Sequence, residues 1–167
     1  MKSIRLVRRS SWSVAATFFA VIMGGALFAQ PALATSPTEG SGTFTFAPVV
    51  TDQRTADGNT FLTLKATEKI AGAITGTATV QFTEVIHASG EVNTNGLITC
   101  VCTVGGKTGT VEFRFQGNGA GTAASPLAGV FIAQHGTGGL ADLRAVGTFE
   151  SRTPGSGTYT VQWHFDP

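Results

Sequence analysis

The chain has 167 residues, a formal net charge of +1, 42% hydrophobic residues and 13% charged residues. Four of its cations lie in residues 1–34 with no acid among them, so residues 35–167 carry a net −3. A weakly acidic remainder has no basic stripe for phosphates, which excludes nucleic acid as the expected partner, and it has no polybasic patch for a membrane surface.

Lys2, Arg5, Arg8 and Arg9 form a basic leader, residues 14–28 form an apolar run, and Ala32-Leu33-Ala34 is a small-x-small cleavage signal. This is the layout of a secretory signal peptide over residues 1–34. The run is shorter than the roughly 20 residues a spanning helix needs, and Pro31 follows it, so no membrane span is expected after cleavage. Residues 35–41 are rich in Thr, Ser, Pro, Glu and Gly and read as a flexible mature N-terminus.

Residues 42–167 read as a single all-β domain. β-branched and aromatic residues recur in short runs between turn residues, with no helical stripe. Eight strands are expected near 42–48, 60–70, 74–87, 97–104, 108–116, 128–135, 145–152 and 158–165. Asp57-Gly58-Asn59 and Asn95-Gly96 supply the positive φ of tight turns. Gly105-Gly106-Lys107 suits a hairpin loop, residues 117–126 form the longest loop, and Pro154-Gly155-Ser156-Gly157 precedes the last strand. Consecutive strands without crossover helices imply antiparallel pairing, in a sandwich or a barrel.

Cys100 and Cys102 sit at i and i+2 of one expected strand. At strand rise their Cα atoms would be about 6.6 Å apart, so a bridge between them needs a bend. A buried thiol pair, an intermolecular bridge, or half of a metal site with His87, His135 or His164 are the alternatives. The spacing offers no support for a metal, and none is expected.

Candidate site residues follow from alternation. Val80, Phe82, Glu84 and Ile86 share a face, so Glu84 lies among three large apolar residues. Burial there raises a carboxyl pKa, which suits a general acid or base or a ligand-orienting group. Glu84 is therefore the catalytic candidate. Val111, Phe113 and Phe115 take one face of their strand, and Glu112, Arg114 and Gln116 take the other. Tyr159, Val161, Trp163 and Phe165 form an aromatic face in the last strand, and Phe131, Ala133 and His135 share a face just before Gly136. Phe82, Glu84, Phe113, Phe115, His135, Tyr159 and Trp163 are thus the expected ligand-binding residues. No nucleophile motif, phosphate loop or metal spacing is present, and no cofactor is expected.

Gly136-Thr137-Gly138-Gly139-Leu140, followed by Leu143-Arg144 and Gly147, resembles the Gly-Thr-Gly signature of the allene oxide cyclase-like barrels. That group includes plant allene oxide cyclases, dirigent proteins and an uncharacterised bacterial domain family, to which this chain looks most similar. The resemblance covers about the last two thirds of residues 35–167. It implies an eight-stranded antiparallel β-barrel in which Leu140 and Leu143 anchor the corner. The plant catalytic motifs have no match here, so none of their residues carries over. The expectation is an exported barrel that holds a small, mostly apolar molecule in its interior. An isomerase or cyclase acting in the lumen without metal or nucleotide, and a non-catalytic envelope or secreted interaction protein, are the alternatives.

Overall fold

Side chains that alternate in and out along every run let one continuous sheet curl around its apolar face. The computed structural model describes residues 36–120, 122, 124–153 and 155–167. The expected export segment, residues 1–34, lies outside the described residues, as do Gly121, Ala123 and Pro154 of the expected loops. The strands are β1 (Thr38–Ala56), β2 (Asn59–Gly72), β3 (Ile74–Ile86), β4 (Val92–Val104), β5 (Lys107–Gly119), β6 (Leu127–Gly138), β7 (Leu143–Thr153) and β8 (Ser156–Phe165). Each pairs antiparallel with the next, and β8 returns to β1, which closes the barrel. No helix occurs among the described residues.

The turns carry the expected chemistry in two places. Asp57 and Gly58 sit at φ 52° and 76°, and Gly105 and Gly106 at φ 57° and 79°. Two successive positive φ values are what a two-residue hairpin turn needs to match strand twist.

Three expectations are corrected. Residues 38–41 are not a flexible terminus: they form the start of β1 and pair with β8, from Thr38 against Trp163 to Ser41 against Thr160. β1 itself runs on to Ala56, well past its last pairing with β8 at Thr45. Beyond that point one edge of β1 lacks a β8 partner, and Pro48 and a bulge between Val50 and Asp52 blunt it. Finally, Asn95-Gly96 is not a turn. β4 begins at Val92, and Gly96 lies inside it between Phe82 of β3 and Phe115 of β5. A Cβ at Gly96 would collide with Phe82 Cβ. The glycine lets the β4 backbone approach the Gln81 carbonyl and Phe82 of β3 closely, and it serves no turn.

The barrel is filled unevenly. The β2–β3, β4–β5 and β6–β7 connections share one end, and the other four connections share the opposite end. At the first end Cys100, Cys102, Val104, Leu140, Leu143 and Val161 are buried in one cluster, with Trp163 and Phe165 packed on it. Cys100 and Cys102 are bonded to each other with Cα atoms 5.5 Å apart, closer than the about 6.6 Å of a regular strand. The Gly136–Gly139 segment turns the chain inward here. Gly139 N–H donates to the Thr108 carbonyl at 2.9 Å, and Leu140 N–H to the Thr137 carbonyl at 3.1 Å. Leu140, 0% exposed, and Leu143, 5% exposed, plug this end. Towards the other end a smaller cluster of Leu64, Ala66, Val80 and Phe82 leaves open space.

Candidate functional site: an aromatic cup with a buried acid

The wall of that space is built from phenylalanines that stand edge to face. Phe44 meets Phe149 at 75°, Phe115 meets Phe149 at 83°, Phe113 meets Phe131 at 90°, and Phe131 meets Tyr159 at 77°. Edge-to-face contact suits the ring quadrupoles. A glycine on a neighbouring strand makes room for such rings. Gly147 pairs with Phe131 on one side and Val161 on the other, and a Cβ there would strike the Phe131 ring.

The rings line a cavity of about 110 Å³ that is open on one side. Ordinary ligand pockets run to roughly 300 Å³ or more, and a dry cavity of about 150 Å³ accepts benzene. The space therefore matches a ring-sized group rather than a large cofactor. Tyr159 and Ile74 belong both to the cavity lining and to the plug cluster, so they separate cup from plug. The Tyr159 hydroxyl ties them together. It accepts from Ile74 N–H at 2.8 Å and has the Ile74 and Ala71 carbonyls at 3.0 and 3.2 Å for its own proton. Burial raises the Tyr159 pKa, and the Ile74 hydrogen bond partly offsets that.

Two carboxyls face the cup. Glu84, near the end of β3, pairs across to Leu62 and Thr94 and lines the cavity. Burial raises its pKa. Glu68 on β2 is the more extreme group. It stands between Phe46 of β1 and Ala78 of β3, is 6% exposed, and its Oε2 has no hydrogen-bond partner among the described residues. Loss of solvation pushes its pKa from 4.5 to about 7. A carboxyl without a cation beside it keeps its proton, because the charged form loses most on leaving water. At neutral pH Glu68 is therefore close to evenly divided between acid and carboxylate.

Of the expected ligand-binding residues, Phe82, Glu84, Phe113, Phe115 and Tyr159 line the cavity. His135 and Trp163 do not. His135 was expected to share the inner face with Phe131 and Ala133. Between Glu112 and Phe113 the β5–β6 register shifts, so Glu112 faces His135 while Phe113 faces Ala133. Gln134 is the extra residue, and the bulge turns His135 outward. Its side chain is 83% exposed, with Nδ1 3.7 Å from Glu112 Oε1. Trp163 does face inward, but at the plugged end, against Gly40 and Gly105. The three histidines lie apart: His87 bonds Asn93 at 2.8 Å, and His164 lies 3.4 Å from Asp166. No cluster of three metal-ligating side chains forms among the described residues.

Glu68, Thr94, Phe44, Phe46 and Phe149 are lining residues that the sequence reading missed. Glu68 carried a usable signal. It alternates with Leu62, Leu64, Ala66 and Ile70, the same pattern that singled out Glu84.

Fold and site together define a small up-and-down β-barrel protein, plugged at one end and cupped towards the other. Residues 39–163 match the family described as "Protein of unknown function (DUF3224)", and the chain belongs to that family. It is similar in fold to a crystal structure of a DUF3224 protein of unknown function from Shewanella oneidensis MR-1. The TM-score is 0.62 at 16% identity, covering 78% of this chain and 99% of that one. No curated protein matches the chain.

Proposed function

We propose that this protein is an exported binding protein that holds a small, mostly apolar molecule in the cup of its barrel. The observation that carries the reading is the ring-lined cavity with a carboxyl oxygen in its wall that no described residue bonds. A core meant only for stability would fill that space with methyl groups and leave no carboxyl there. Export rests on the basic leader, apolar run and Ala32-Leu33-Ala34 of residues 1–34. Kinship with the allene oxide cyclase-like barrels rests on the Gly136–Gly147 corner, and on the closed eight-stranded barrel in which Leu140 and Leu143 seal an end.

Mass spectrometry of molecules that co-purify with the protein, together with thermal shifts in a panel of small aromatic compounds, tests the reading. Ring-sized compounds should raise the melting temperature, and Ile98→Trp, which fills the cup, should abolish the rise while the protein stays folded. A panel without any shift, and no co-purified molecule, would overturn it. An isomerase or cyclase is the second reading, favoured by a raised-pKa Glu84 that faces the cavity. It requires Glu84→Gln to abolish turnover of a bound compound without abolishing its binding.

A further inference from the structure

The cup is acidic on every side that carries an ionisable group. Glu68 enters from β2, Glu84 from β3 and the Tyr159 hydroxyl from β8. The lining residues of β1, β4, β5, β6 and β7 are Phe, Ile, Leu, Thr and Ser, and among the described residues no Lys, Arg or His lines the space. Glu68 Oε2 finds no donor among the described residues, although the side chain is 6% exposed. A buried acceptor in that position costs free energy that only a donor can recover. None of the described residues supplies one to the carboxylate form, and an occupant that carries an N–H group would.

The remaining wall narrows the choice. Aromatic faces attract cations through their quadrupole, and the attraction grows when the cation is out of water. Carboxyl groups and ring faces therefore favour the same kind of guest. An anionic guest would meet two acids and the negative faces of the rings, with no cation to offset either. The cavity of about 110 Å³ adds a size limit of roughly one ring or a short branched chain.

We propose, on the reading of the cup as a ligand site, that its ligand class is a small organic cation, an aryl- or alkylammonium whose N–H groups donate to Glu68 while its apolar part lies against the phenylalanines. Glu68 is the specificity-determining residue, and Glu84 adds negative potential from a second strand. The pairing makes binding sensitive to pH. An ammonium binds the carboxylate, so its affinity rises as Glu68 loses its proton near pH 7. Glu84 titrates in the same direction, while Tyr159 keeps its proton throughout this range. A neutral hydrogen-bond acceptor would show the opposite trend, because it needs the protonated acid.

Three probes of one shape separate these cases: benzylammonium, benzyl alcohol and benzoate, titrated calorimetrically into the purified protein at about pH 5.5 and about pH 8. Benzylammonium should bind about tenfold more tightly than the alcohol at the higher pH and lose about tenfold on going to the lower one. Benzoate should bind most weakly at both. Glu68→Gln should abolish the pH dependence and the preference for the cation while benzyl alcohol still binds, and Glu84→Gln should retain the preference. Equal or tighter binding of the alcohol, or an ammonium affinity that Glu68→Gln leaves unchanged, overturns the cation inference and leaves the cup as an apolar site. Failure of all three probes overturns the cup reading itself.

Discussion

Replacing Glu68 with Gln should make the protein more stable at alkaline pH and remove a component of its pH dependence. Glu68 holds its proton up to about pH 7 in the folded barrel, against 4.5 for the free group. Below 4.5 both states are protonated and the group is silent. Between 4.5 and 7 the unfolded chain gives up the proton while the folded one keeps it. The folded state then binds more protons, so stability falls as pH rises. Above 7 both states are ionised and the full penalty stands. Each pK unit is worth about 1.4 kcal/mol, so burial of this carboxylate costs about 3 kcal/mol above pH 7 relative to acid. The group is 6% exposed, so little solvent screening reduces that figure. Gln keeps the shape and cannot ionise, though its amide forfeits about 1 kcal/mol if it finds no partner. A net gain of about 2 kcal/mol is expected at pH 8, several degrees in melting temperature for a domain of this size. Denaturant unfolding of both proteins from pH 4 to pH 8.5, read as the difference between them, isolates Glu68 from the other carboxylates. Parallel curves across that range would refute the argument, since a solvated or paired Glu68 would give no difference.

Glu84→Gln should shift stability in the same direction by a smaller amount, because its burial is less complete; denaturant unfolding at pH 8 reads it. Tyr159→Phe removes the acceptor of the Ile74 N–H and a donor to two carbonyls. It should cost about 1–3 kcal/mol, visible in the urea midpoint with an unchanged slope. Leu140→Ala should cost about 2–5 kcal/mol, because Leu140 is 0% exposed in the plug. Gly147→Ala drives a methyl group into the Phe131 ring and should destabilise by about 1–3 kcal/mol; an unchanged melting temperature would show that the ring has room to move. His135→Ala should leave both stability and probe binding unchanged, since the exposed ring sits outside the barrel with only a partly exposed Glu112 beside it.

Inward and outward residues were readable wherever a strand runs undisturbed. Phe82 with Glu84, Phe113 with Phe115, and Tyr159 with Val161 all follow the period-two rule that backbone pleating imposes. Glu68 obeys the same rule and was equally readable, yet its neighbours Ala66 and Ile70 make a less obvious apolar face than the Val80 and Phe82 beside Glu84. His135 was not readable. One extra residue, Gln134, inverts the alternation, and a bulge of that kind is decided by pairing with β5 rather than by the local sequence. Asn95-Gly96 misled for a related reason. The dipeptide has strong turn chemistry, and the close approach of β3 at the Gln81 carbonyl and Phe82 overrides it.

Taken alone, the sequence determined eight strands, their consecutive order, the turns at Asp57-Gly58 and Gly105-Gly106, and the acid placed on an apolar face at Glu84. These are local properties, set by side-chain alternation and by which residues tolerate positive φ. Only the tertiary structure decided that β8 closes onto β1, that Cys100 and Cys102 bond to each other, and that Trp163 serves the plug while Glu68 serves the cup. The level a side chain occupies inside a barrel depends on strand register and tilt, summed around all eight strands. No single strand carries that sum, so which inward residues meet in the cup became visible only once the sheet was closed.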